Sequence, residues 1–209
     1  MRHLKIAGFV AVAAAALMAF IGAGTASATV FCSTTAEPCP EAQKWLNGTA
    51  LDFTVPSESS FLWENGGEAI ETCKGVTLSA EIVNSGSASS TVKLSNKALT
   101  WSNCTYPNKT LALGGLEIHK IIGTSNAKVT ASEDITWTIN TIFYGSCIFA
   151  WKAGQEFGEI TEGKPPVLHV NSTVEKVSGS DFGCPANGTL VGTLILTSPT
   201  NTTLSVGAS

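Results

Sequence analysis

The side chains that could do chemistry in this 209-residue chain are six cysteines, a few clustered carboxylates, two well-separated histidines beyond the N-terminal His3, and five tryptophans. The cysteines stand at Cys32, Cys39, Cys73, Cys104, Cys147 and Cys184. No two are spaced Cys-x-x-Cys, and only His119 and His169 could complete a zinc site, so the pattern reads as disulfides and assigns no metal. Nucleophilic catalysis needs a base beside the nucleophile. Serine and threonine abound, yet G-x-S-x-G does not occur, and both histidines fall on the polar side of alternating segments. Paired carboxylates could hydrolyse a glycoside. Glu64, Glu68 and Glu71 surround a Gly66-Gly67 turn, and Glu133-Asp134 form a second acidic group. In an acidic chain such groups are ordinarily solvated loops, and neither follows the ligand order of a calcium loop. The sequence therefore assigns no catalytic residue and no cofactor. A glycoside hydrolase built on Glu64, Glu68 and Glu71 is the weakest reading.

Tryptophan offers a different chemistry, since its exposed face stacks on sugars. Trp101, Trp137 and Trp151 lie on the apolar parity of their segments and read as core. Trp45 and Trp63 lie in loop-like stretches and are the candidate platform, which makes a carbohydrate-binding module the alternative function. The leading reading is a secreted or envelope-associated, non-enzymatic β protein with a structural or interaction role. Its partner would be a cell-surface glycan or protein.

The first 28 residues read as a signal peptide. Arg2 and Lys5 give a positive start, Ile6 to Ile21 an apolar run, and Ala26-Ser27-Ala28 a small-residue cleavage site. Residues 29–209 then form one secreted β domain without a transmembrane anchor. A bulky Phe31 directly before Cys32 is unlike a lipid-attachment site. That domain carries sixteen acidic residues against ten lysines and no arginine, a net charge of −6. Arginine leads the reading of phosphates and guanine edges, so nucleic acid is excluded as a partner.

The elements that would position these residues are strands. Leu51, Phe53 and Val55 alternate with polar residues, as do Val76, Leu78, Ala80 and Ile82. Val92 and Leu94 differ in parity from Leu99 and Trp101, which predicts a bulge between Ser95 and Lys97. Leu116, Ile118 and Ile122 form another inward set. The longest period-two run extends from Val129 through Ile135, Trp137 and Ile139 to Phe143, turns at Gly145-Ser146, and returns through Cys147, Phe149 and Trp151. Thr138 falls on its opposite, outward face. Further strands are expected around Leu168 to Val174, Leu190 to Leu196, and Leu204 with Val206. The stretch from Pro56 to Gly67 reads as loop, and Glu41 to Asn47 as one helical turn at most. The sum is an all-β, disulfide-bonded sandwich or barrel of about nine to eleven short, mainly antiparallel strands. Six cysteines allow fifteen pairings. Joining sequence neighbours gives Cys32–Cys39, Cys73–Cys104 and Cys147–Cys184.

Three stretches, ETCKGVTL (Glu71 to Leu78), KALTWSNCTYP (Lys97 to Pro107) and GCPANGTLVGTLILTSPTNTTLSV (Gly183 to Val206), resemble a family of uncharacterised secreted β-proteins of high-GC Gram-positive bacteria. The resemblance implies a bacterial, exported β fold. It implies no activity and no site residues.

Export with cleavage after Ala28 is checked by mass spectrometry of the protein recovered from culture medium. The expected N-terminal residue is Thr29. Recovery of the uncut chain from a membrane fraction would overturn it.

Overall fold

The computed structural model describes residues 29–87, 89–200 and 202–207. The expected signal peptide lies outside the described residues. The strands in chain order are β1 (Val30–Cys32), β2 (Ala50–Thr54), β3 (Phe61–Asn65), β4 (Glu68–Asn84), β5 (Val92–Cys104), β6 (Asn108–Ala112) and β7 (Gly115–Lys120). They continue with β8 (Ala127–Ala131), β9 (Ile135–Thr141), β10 (Gly145–Trp151), β11 (Glu156–Thr161), β12 (Val167–Lys176), β13 (Asn187–Ser198) and β14 (Ser205–Gly207). One 3-10 turn, Glu41–Gln43, is the helical content among the described residues. All strand pairs are antiparallel, and the extra strands beyond the expected number are mostly pieces of three to five residues.

The sheet closes into an eight-stranded barrel in the order β4, β5, β7, β8, β11, β12, β13 and back to β4. The eighth position is shared. β2 and β3 lie end to end between β4 and β13, β2 pairing with Thr77 to Glu81 of β4 and β3 with Glu68 to Cys73. Closure removes the unpaired edges that an open sheet would expose. A second group of strands peels away where β12 ends: Phe149 and Ala150 of β10 pair with Lys176 and Glu175, β9 pairs with β10, and β6 pairs with β9. β6 returns to the barrel through side chains. The Thr110 hydroxyl donates to the Leu99 carbonyl, and the Trp101 indole N–H donates to Thr110 Oγ1 at 3.0 Å. The end opposite this group is capped by β1 paired with β14 and by the Cys32–Cys39 disulfide. There the buried Lys120 ammonium forms an ion pair with Glu37.

Several local expectations hold for stated reasons. The bulge falls on Lys97: Ser79 faces Ala98 while the next residue, Ala80, faces Asn96. One extra residue on β5 is what lets Leu94 and Leu99 both point inward despite opposite parity. The three disulfides pair as expected.

Other expectations need correction. The run from Val129 to Phe143 is two strands. β8 pairs with β7 and β11, a bend at Ser132 to Asp134 intervenes, and β9 pairs with β10 and β6. The strand ends at Thr141, so Phe143 sits in the turn and is exposed despite its parity. Ile122 is exposed for the same reason, lying beyond the end of β7. Thr138 is buried, on a strand flanked by β10 on one edge and β6 on the other; its hydroxyl is 3.0 Å from that of Ser146. The stretch read as loop around Trp63 contains β3.

The core is a connected set of aromatic rings. Trp137 stacks on Trp101 at 6.0 Å and meets Trp151 at 4.5 Å and Phe149 at 6.1 Å. From there the contacts continue to Trp63, 4.6 Å from Phe149, and to Phe157, 4.6 Å from Trp151. Phe61 meets Trp101 edge-on. Two glycines of β13 make room for this set. A Cβ on Gly188 would stand 2.0 Å from the Trp63 indole nitrogen, and one on Gly192 would stand 2.1 Å from the Phe61 ring.

Trp137→Ala removes the central ring and is expected to cost about 3–5 kcal/mol. Gly188→Ala, which forces backbone and indole apart, is expected to cost about 1–3 kcal/mol. Thr138→Ser keeps the hydroxyl and loses one methyl, roughly 0.8 kcal/mol. Chemical denaturation with disulfides intact checks the ranking, and a Thr138→Ser loss exceeding that of Trp137→Ala would refute the assigned faces.

Candidate functional site

Four connections gather at one end of the barrel: the β3–β4 turn, the β5–β6 connection through Tyr106, the β9–β10 turn and the long β12–β13 loop. Two of the three disulfides brace this end. Cys73–Cys104 ties β4 to β5 as register partners, and Cys147–Cys184 ties β10 to the β12–β13 loop.

Glu71 lies under this end, only 3% exposed. One carboxylate oxygen accepts the N–H of Thr72 at 2.9 Å, and both accept the N–H of Tyr106, at 3.1 and 3.2 Å. Asn108 adds a side-chain hydrogen bond and otherwise bonds the Tyr106 carbonyl. Burial pushes the Glu71 carboxyl above its ordinary value of 4.5, partly offset by these donors. A general acid or base has to be within reach of the substrate. Glu71 is instead occupied in holding the β5–β6 connection against β4. Glu71, Cys73 and Cys104 place a carboxylate oxygen and two sulfurs within 4.8 Å of one another, but the sulfurs are bonded to each other and offer no thiolate. Glu64 and Glu68 flank the β3–β4 turn on opposite strands. Asp134 accepts the Lys152 ammonium and the Ala153 N–H, and both lower its pKa.

The tryptophans proposed as a sugar platform are not exposed. Trp63 is 1% accessible within the aromatic core, and Trp45 is 7% accessible with its ring edge-on to Phe31. Neither offers the open face that stacking on a sugar requires. Of the histidines, His119 bonds Thr130 on the outer face, and His169 lines an open groove of about 470 Å³ with Ser59, Ser60, Asn171 and Thr193. That groove is lined by no tryptophan, tyrosine or phenylalanine, and by neither Glu64 nor Glu68.

The sequence reading missed the surface that stands out. Among the described residues, the three most exposed large apolar side chains are Phe182 at 104%, Ile142 at 80% and Phe143 at 76%. All three stand on the disulfide-braced end. Their two loops are locked together: Asp181 accepts the Ser146 N–H at 2.7 Å through its carboxylate and donates its own N–H to the Ser146 carbonyl at 2.9 Å. The Tyr144 N–H is capped by Thr141 Oγ1 at 2.8 Å. Behind Phe143 a depression of about 210 Å³ is lined by Ile70, Tyr106 and Tyr144. A signal for Phe182 was present, a lone aromatic inside the polar run SGSDFG. The alternation of β9 hid Phe143.

The chain matches no family model, no curated protein and no solved structure. Among the described residues, no helix is long and apolar enough to cross a membrane.

A carboxyl whose folded pKa is raised binds its proton more tightly in the native state. Its contribution to stability is present at low pH and is lost as pH rises from 4.5 through the raised value. Glu71→Gln is expected to flatten the wild-type fall in denaturation midpoint across that window. Glu71→Ala, which leaves buried N–H groups unpaired, should cost about 1–3 kcal/mol for each one. An unchanged pH profile in Glu71→Gln would show that the carboxyl is not tuned by its burial.

Proposed function

We propose that this protein is an exported, non-enzymatic β-barrel that works by contact, through the end carrying Ile142, Phe143 and Phe182. The observation that carries the reading is the concentration of the most exposed apolar side chains on one braced end. A folded protein in water gains nothing from that arrangement by itself, and such patches mark interaction surfaces. The carboxylates support the same conclusion, because Glu71 is enclosed and hydrogen-bonded to backbone. The disulfides fit an oxidising, extracellular compartment. The expected bacterial export signal points the same way.

The test is association of the purified mature domain with intact Gram-positive cells, read by co-sedimentation. The wild type should sediment with cells, and Phe143→Ser/Phe182→Ser should lose at least most of that association while keeping its denaturation midpoint. Equal association of both proteins would overturn the reading.

A further inference from the structure

Resting on that reading, we infer that the braced end docks on the surface of a lipid bilayer with uncharged or zwitterionic headgroups. The first argument is shape. Phe182, Ile142 and Phe143 stand on turns, outside the sheet, and are nearly as accessible as in an extended chain. A protein partner would have to supply pockets matching each convex tip. The acyl region of a bilayer takes up protruding apolar groups without a preformed cavity.

The second argument is composition. The turn from Thr141 to Gly145 contains no charged residue. Asp181, next to Phe182 in sequence, has its carboxylate on the Ser146 N–H, and the exposed carboxylate at the rim of this end is Glu68 on the neighbouring β3–β4 turn. Lys176, at the end of β12, has its ammonium bonded to the Cys184 carbonyl. Tyr106 and Tyr144, half-buried behind the tips, have the amphipathic character that favours the headgroup level.

The third argument is charge. Anionic membranes recruit proteins through clustered lysine and arginine. Here the chain beyond residue 28 carries sixteen acidic residues against ten lysines. Long-range attraction to an anionic surface is therefore excluded, and a neutral surface is the one on which apolar insertion goes unopposed. Rigidity completes the case. The Cys147–Cys184 bridge and the paired Asp181–Ser146 bonds hold the tips in place before contact, so little ordering is required on docking.

The experiment is flotation with phosphatidylcholine vesicles. The proteins are the wild-type mature domain, Phe143→Ser/Phe182→Ser, Ile142→Ser, and Ile122→Ser as a control from the opposite end of the barrel. The wild type should float with the vesicles. The double variant should lose at least tenfold of the bound fraction, Ile142→Ser should lose a smaller part, and Ile122→Ser should bind as the wild type does. Replacing a third of the lipid by phosphatidylglycerol should lower binding, and added salt should restore it. Failure of the wild type to float, or equal flotation of all four proteins, overturns the inference. If association with cells still depends on Phe143 and Phe182 while vesicles do not bind, the contact reading stands and the lipid assignment falls. If neither depends on them, both fall.

Discussion

The packing of Trp137 is the constraint on which the rest of the structure depends. Its ring meets Trp101 of β5, Phe149 and Trp151 of β10, and through them Trp63 of β3 and Phe157 of β11. A simple eight-stranded barrel has a narrow interior that side chains fill. Here β10, β9 and β6 swing away from β12 and return to β5, which widens that half enough for four indoles. The sheet is then arranged to fit the rings. β2 and β3 share one barrel position, β10 takes over the side of β12 beyond its pairing with β11, and β13 carries glycine where Trp63 and Phe61 press against it.

The same departure of strands from the barrel creates the end that we assign to contact. Because β9 and β10 belong to the diverging group, their turn extends past the barrel wall. The β12–β13 loop follows it and is stitched to it by Cys147–Cys184. Below, Glu71 and Cys73–Cys104 hold the connection that brings β6 back. A buried carboxylate there costs desolvation that its N–H donors repay in part, and in exchange the Tyr106 segment is held in one position.

Where packing is decided by neighbours in sequence, the residues told the truth. Alternation located the strands, the parity change around Ser95 to Lys97 located the bulge, and an even cysteine count with near neighbours located the bridges. The reading failed where burial is decided by partners distant in sequence. Thr138 lies on a strand that β6 and β10, distant from each other in sequence, flank on its two edges. Trp63 sits among loop-forming residues, yet β4 and β13 enclose it. Phe143 and Ile122 keep the parity of their strands one step after the strands have stopped, a boundary that period alone does not mark. The exposed apolar end was illegible for the same reason: Phe143 and Phe182 are brought to one end by a fold and a disulfide, not by spacing.

The indole nitrogens of Trp63, Trp137 and Trp151 are buried without a hydrogen-bond partner, whereas that of Trp101 is tied to Thr110. The Trp137 and Trp151 rings meet each other at 4.5 Å, and the Trp63 nitrogen lies close against Gly188. Solvent reaches them only when the aromatic set comes apart, and that set joins the barrel to its diverging strands. Exchange of these three protons for deuterium is thus a clock for opening of the whole molecule, while the Trp101 proton, at the half-exposed seam between β5 and β6, reports the local parting of β6 alone.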